Sequence, residues 1–224
     1  MVEGAIPEEQ WAIQLTSNGK WDVLRVKVPR PAKGQVLIKV ECAPINPSDT
    51  YFMAGMYGLF NEDEESGGKM KFPLAPGWEG AGTVIESGGG LMAWRLVGKR
   101  VACTKCNEPN KTFSIGGCYQ QYMITDALQC IPLPDEVTFE QGSMHCVNPL
   151  TAIGLLDRCK QYKGQALIQT AAASQLGRMI IRLAREDGVP LINIVRKEDQ
   201  AKMLRDLGAE NVLNSTDADF PEKL

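Results

Sequence analysis

Hydrophobic and polar positions alternate in short runs through about the first 135 residues, and then the period changes. WAIQL, VLIKVECAPI, GAGTVIE, KRVACT and YQQYMIT are rich in β-branched and aromatic residues and are set apart by Gly, Pro and Asn. That is the pattern of short strands joined by turns. The segment LFNEDEESGGKMKF is acidic and aperiodic, which predicts a surface loop beside Tyr57, and Gly88–Gly90 mark a further turn. From Thr138 the spacing becomes helical in FEQGSMHCVNPLTAIGLLDRC, with NPL interrupting and Thr151 opening a new helix after the proline. The pattern then predicts a strand at Gln165–Gln169, a helix at about Gln175–Asp187 and a strand at Leu191–Val195. A helix at about Asp199–Leu207 and the short strand NVLN follow. Strands and helices alternating at this spacing require right-handed crossovers and a parallel sheet. The expected fold class is α/β, with a β-rich domain over residues 1–137 and a parallel-sheet domain over residues 138–224.

Composition narrows the function classes. A net charge of -3 supplies no basic footprint, so nucleic acid is not an expected partner. No apolar run reaches the roughly 18 residues that span a bilayer. The N-terminus, MVEGAIPEEQW, is neither a secretory signal nor a basic amphipathic presequence. With seven scattered cysteines, this points to reduced thiols in the cytoplasm, with the mitochondrial matrix as the alternative. Cys103 and Cys106 form one CxxC, with Cys118 further on, but four zinc ligands are hard to assemble when His145 is the single histidine. The expectation is small buried hydrophobes plus one exposed thiol, and no metal site.

The candidate chemistry lies in TAAASQLGRM, which follows the apolar run QALIQ and opens a helix. A dinucleotide fold presents backbone N–H groups and a helix N-terminus to the pyrophosphate at such a corner. Of the usual glycines only Gly177 remains, although Ala171, Ala172, Ala173 and Ser174 are small enough for close approach. By itself the corner reads equally as a phosphate site or as a packing turn. The next strand ends in Arg196 and Lys197, where an NAD-selective fold has a carboxylate. A guanidinium there suits the 2′-phosphate of NADPH. The alternative is a solvated basic pair opening a helix, partly neutralised by Glu198 and Asp199.

Nine motifs in register then carry a resemblance. They are INPSD (45–49), GMYG (55–58), PGWEGAGTV (76–84), GKRV (98–101), GGCYQQYM (116–123), VNPLTA (147–152), QTAAASQLG (169–177), INIVRKEDQ (192–200) and LGAENVLN (207–214). The chain resembles the zinc-independent branch of the medium-chain dehydrogenase/reductase superfamily, the quinone oxidoreductases and 2-enoyl thioester reductases. The resemblance implies a GroES-like catalytic domain followed by a Rossmann cofactor domain. Zinc-dependent relatives carry a histidine in GHE and a cysteine near the first strand loop; this chain has Trp78 and Asn46 there. Tyr57 matches the tyrosine proposed to polarise the substrate carbonyl. Asn46 and Thr151 would contact the nicotinamide, with Asn46 also at the catalytic centre. Ser174, Gln175, Leu176, Gly177, Arg196 and Lys197 would line the adenosine-phosphate side. The implied reaction is a metal-free hydride transfer from NADPH to a quinone, an enone or an enoyl thioester.

A sheet of this kind runs in the order 3-2-1-4-5-6, and the chain supplies its first three strands before FPEKL. The expectation is therefore a partial Rossmann domain. It would be catalytic only with the remaining C-terminal part supplied, and the expected partners are further copies in a homo-oligomer or a complementing C-terminal polypeptide. The alternative is a non-catalytic structural subunit of a larger assembly.

Overall fold

The computed structural model describes residues 5–56, 72–105 and 116–224. These form two compact units, Met1–His145 and Cys146–Leu224.

In the first unit, β1 (Glu9–Ser17) and β2 (Lys20–Lys27) form an antiparallel hairpin. Strand β2 is absent from the periodicity reading because Trp21 and Val23 on its outer face are exposed, so no polar face alternates with an apolar one. A second sheet has the order β6-β3-β4-β5-β7, all neighbours antiparallel. Its strands are β3 (Gln35–Cys42), β4 (Glu79–Ser87), β5 (Arg100–Thr104), β6 (Tyr122–Asp126) and β7 (Cys130–Pro132). Inward residues Val36, Ile38, Val84, Val101, Cys103, Cys118 and Met123 fill its core. Cys103 and Cys118 are thus core residues, in contact with the Met123 sulfur; Cys106 lies outside the described residues. Strand β3 stops at Cys42, before the API of the expected run, because Asn46 and Pro47 start a helix, α1 (Pro47–Met53). Helix α2 (Leu91–Leu96) follows the glycine turn. Helix α3 (Phe139–Ser143) begins at Thr138, whose hydroxyl accepts the Gln141 N–H while the Gln141 side chain accepts the Thr138 N–H. It packs against β4 and β5, in the first unit.

The second unit is a three-stranded parallel sheet of order β10-β9-β8, made of β8 (Leu167–Gln169), β9 (Leu191–Val195) and β10 (Asn211–Asn214). Helix α4 (Val147–Gln161) starts four residues before Thr151. Pro149 stands in its first turn, where a missing N–H costs no helical hydrogen bond, so NPL begins this helix instead of interrupting it. Helix α5 (Gln175–Glu186) buries Gly177, Ile180, Ile181 and Ala184, the i, i+3, i+4, i+7 face of an amphipathic helix. Helix α6 (Glu198–Asp206) buries Ala201 and Leu204, and α7 (Phe220–Lys223) ends the described chain. These faces meet Leu191, Val195 and Val212 of the sheet. A buried polar line crosses the three strands: Gln169 Nε2 donates to Asn193 Oδ1 (2.6 Å), and Asn193 Nδ2 donates to the Asn211 carbonyl (3.1 Å). Among the described residues, no helix is long and apolar enough to cross a membrane.

Candidate functional site

The polar centre of the first unit is assembled around the start of α1. Asn46 takes an extended backbone and Pro47 has its φ preset, so the chain turns into the helix there. The Asn46 N–H donates to Asp49 Oδ2 (2.9 Å), and the Trp78 N–H donates to Asp49 Oδ1 (3.1 Å). Gly77 makes the second bond reachable: its φ is 100°, and a Cβ there would meet the Tyr119 ring at 2.7 Å. Asn46 Nδ2 donates to Glu79 Oε1 (3.2 Å), and His145 Nδ1 lies 3.9 Å from Glu79 Oε2. Asn46, Asp49 and Glu79 expose only 3%, 1% and 1% of their surface, so two carboxylates are buried within one network.

Burial decides the protonation tendencies. It raises the Asp49 pKa, against the two backbone hydrogen bonds that lower it. It lowers the His145 pKa, against the Glu79 charge, so the imidazole is held towards its neutral form. Tyr119, whose hydroxyl donates to the Pro44 carbonyl (2.9 Å), is pushed well up by burial and then by Asp49. Lys105 is the cation of the group. Its N–H donates to the Trp78 carbonyl (3.0 Å), and its Nζ lies 4.1 Å from the centre of the Trp78 ring. Burial lowers its pKa to about 8, while the Asp49 charge opposes that shift.

The second unit carries the corner. After Gln169 the chain turns through Ala171 at a φ of 51° and buried Ala172 to Ser174, the N-cap of α5. Ser174 Oγ accepts the Gly177 N–H (3.1 Å), so one first-turn N–H is capped. Gln175 and Leu176 precede it, and their N–H groups have no intrahelical acceptor. A Cβ at Gly177 would overlap the Ala172 carbonyl, so the helix sits as close to the turn as only glycine allows. The side chains of Gln175 and Leu176 are otherwise engaged: Gln175 Oε1 accepts from Arg178 Nη2 (2.6 Å), and Leu176 packs on the core. Arg196 and Lys197 follow β9 and are exposed. Neither is ion-paired among the described residues. Glu198 pairs instead with Arg205 (2.8 Å), and Asp199 accepts the Gln200 N–H (2.8 Å). Thr151 is exposed on α4, its hydroxyl donating to the Val147 carbonyl (2.6 Å). A cavity of about 290 Å³ in this unit is lined by Pro190, Asn193 and Asn211. It opens at the amino ends of the strands, opposite the end where such sheets bind ligands.

The sequence-selected residues therefore divide. Ser174, Gln175, Leu176 and Gly177 lie at one corner of the second unit, with Arg196 and Lys197 just past the end of a neighbouring strand; Asn46 is in the first unit, and Tyr57 lies outside the described residues. Sequence reasoning missed Asp49, Glu79, Tyr119 and Lys105 as a group. Asp49, Glu79 and Tyr119 stand inside three of the quoted motifs, whereas nothing in the sequence ties Lys105 to Trp78.

Residues 32–135 match the family of alcohol dehydrogenase GroES-like domains. A solved structure from Mesorhizobium loti, provisionally named an NADPH:quinone reductase, superimposes with a TM-score of 0.79 at 38% identity, over 98% of this chain and 64% of that one. Over nearly its whole length the chain is similar to members of the medium-chain dehydrogenase/reductase superfamily. Within that superfamily it is 27% identical to the quinone oxidoreductase of Rattus norvegicus over 95% of its length. It is 30% identical to the mitochondrial enoyl-[acyl-carrier-protein] reductase of Xenopus tropicalis over 89% of its length. The chain spans 61% and 54% of the lengths of these two curated relatives. The β10-β9-β8 sheet is the 3-2-1 half of the superfamily's cofactor fold.

Proposed function

We propose that the chain forms part of an NADPH-dependent, metal-independent reductase of quinones or of α,β-unsaturated carbonyl compounds, enoyl thioesters included. The observation that carries this reading is the corner of the second unit. It combines a helix N-terminus with uncapped N–H groups, a helix held close by Gly177, and two cations at the end of β9 that have no ion pair among the described residues. That donor set fits a dinucleotide. The Gln175 and Leu176 N–H groups would hold the pyrophosphate, and Arg196 and Lys197 the 2′-phosphate. The names of the Mesorhizobium and rat relatives favour the quinone class, and the Xenopus relative favours the enoyl class.

NADPH supplies a hydride when bound. The chain's own residues then have two tasks: to orient the nicotinamide end, assigned to Asn46 and Thr151, and to meet the negative charge that develops on the substrate oxygen. Tyr57 is one proposed donor for that charge. Asn46 is suited to its task because its side chain is fixed by Glu79 and its backbone by Asp49.

Titration of the protein with NADPH and with NADH tests the cofactor assignment. NADPH should bind more tightly, and Arg196→Ala should weaken NADPH by roughly tenfold or more while leaving NADH unchanged. Equal affinities in the unaltered protein would refute it. Oxidation of NADPH with a benzoquinone or with a short enoyl thioester then separates the two substrate classes.

A further inference from the structure

A surface helix carries apolar residues on one face and polar ones on the other, and a helix that is apolar all round is normally covered. Helix α2, LMAWRL, departs from that rule. Its inner positions, Ala93 and Leu96, are buried in the core of the second sheet. Its outer positions are Leu91, Met92, Trp94 and Arg95, and all four are exposed. Leu91 and Trp94 expose 71% and 69% of their surface. The short turn Ala127–Gln129 packs against α2 and adds Leu128, which is 84% exposed. Large apolar side chains thus stand together on the outside of the first unit, on a helix whose other face is already in the core.

The sequence around this face is cationic. Residues 28–40 and 88–104 hold no aspartate or glutamate, although the whole chain has a net charge of -3. Backbone hydrogen bonds tie the two stretches together: the Gly34 N–H donates to the Gly89 carbonyl (2.8 Å), and the Gly88 N–H to the Gln35 carbonyl (3.0 Å). The Ala127 N–H donates to the Gly34 carbonyl (2.9 Å), which brings Leu128 to the same place. Some of the cations are engaged: Arg30 pairs with Glu86, Lys39 with Glu41, and Arg100 donates to the Val137 carbonyl. Lys33, Arg95 and Lys99 are exposed and have no ion pair among the described residues. The carboxylate next to the turn, Asp126, accepts from the Gln35 side chain (3.4 Å).

We propose that this face docks on the surface of an anionic lipid bilayer. Leu91, Met92, Trp94 and Leu128 enter the boundary between headgroups and acyl chains, and Lys33, Arg95 and Lys99 meet the anionic headgroups. An indole ring suits that boundary, and the long stems of arginine and lysine reach from an apolar contact to a polar one. The attachment is peripheral and electrostatically assisted. A symmetric pair of chains is the poorer occupant, because it would set these cations against their own copies. The docking rests on neither cofactor nor substrate, so it stands apart from the reductase reading.

The test is co-sedimentation of the protein with vesicles of phosphatidylcholine alone, and of phosphatidylcholine and phosphatidylglycerol in equal parts. Binding should be roughly tenfold tighter to the mixed vesicles and should weaken as salt rises. Trp94→Ser should weaken it roughly tenfold, and Arg95→Glu combined with Lys99→Glu by roughly tenfold or more. Emission of Trp94, isolated by difference against Trp94→Phe, should shift to shorter wavelength on the mixed vesicles. The substituted side chains are exposed, so urea unfolding should be the same in every variant. Equal binding to the two vesicle types, or unchanged binding in Trp94→Ser, overturns the proposal. Self-association that is lost in Trp94→Ser, with no binding to vesicles, overturns it in favour of a second copy of the chain.

Discussion

The two candidate regions are built by opposite means. Around Asn46, residues from five distant stretches of chain bring two carboxylates, an amide, an imidazole and an ammonium together, with the Asn46 amide bonded to Glu79 and Asp49 held by two backbone N–H groups. At the corner of the second unit, eight consecutive residues do most of the work with backbone and small side chains, and Arg196 and Lys197 nearby are exposed, with no ion pair among the described residues. A buried network acts through electrostatics, so it responds to pH and to neutral isosteres. A backbone cradle acts through shape, so it responds to a single added methyl group.

Gly177→Ala offers the sharpest contrast and the largest expected effect. The new Cβ would meet the backbone of Ala172, which has no rotamer to yield, so α5 must move away from the turn. Overpacking of this kind costs about 1–3 kcal/mol. Urea unfolding should register that loss, and NADPH affinity should fall with it, because the uncapped N–H groups move with the helix. Retained stability and retained affinity would mean that the close approach is incidental.

Asp49→Asn probes the other region and should cost somewhat less, about 1–2 kcal/mol at neutral pH, since an amide has one acceptor oxygen for two N–H groups. Its pH signature is distinctive. Burial raises the Asp49 pKa, so between the ordinary aspartate value of 3.8 and the raised folded value the native state holds a proton that the unfolded chain has released. Stability contributed by this group therefore falls as pH rises through that window and is flat above it. The unaltered protein minus Asp49→Asn should show that fall; a difference that grows with pH would mean that hydrogen bonding outweighs burial.

The same contrast explains what could be read from the sequence. The second unit was largely legible: β9 and β10 fall where periodicity places them, α5 and α6 differ by one residue at their ends, β8 begins two residues later than expected, and α4 begins at Val147 and not at Thr151. Local rules suffice when a helix face, an N-cap and a strand each span a few residues. The antiparallel unit was legible as β-rich, yet β2 was missed, and α1 was seen as the motif INPSD and not as a helix. The site followed suit. Ser174, Gly177 and Arg196 carry their signal in spacing alone, whereas Lys105 meets Trp78 only because β4 and β5 pair Glu79 with Thr104. Register between strands is what a single sequence conceals.

Arg205→Ala carries the smallest expected effect and examines whether the corner's cations are unspent by design. Arg205 and Glu198 expose 51% and 70% of their side chains, so the pair contributes well under about 1 kcal/mol and unfolding should barely change. Its consequence lies elsewhere. Released from Arg205, the Glu198 carboxylate is free to turn towards Lys197 and Arg196, immediately before it in the chain, and to compete with a 2′-phosphate for them. NADPH affinity should fall by no more than about threefold, the fall should shrink as salt rises, and NADH should be unaffected. Glu198→Gln in the same background should restore the affinity. If it does not, Arg205 is not what keeps Glu198 from the cations, and their unpaired state has to be sought in the α6 N-terminus, where the acidic pair already favours the helix dipole.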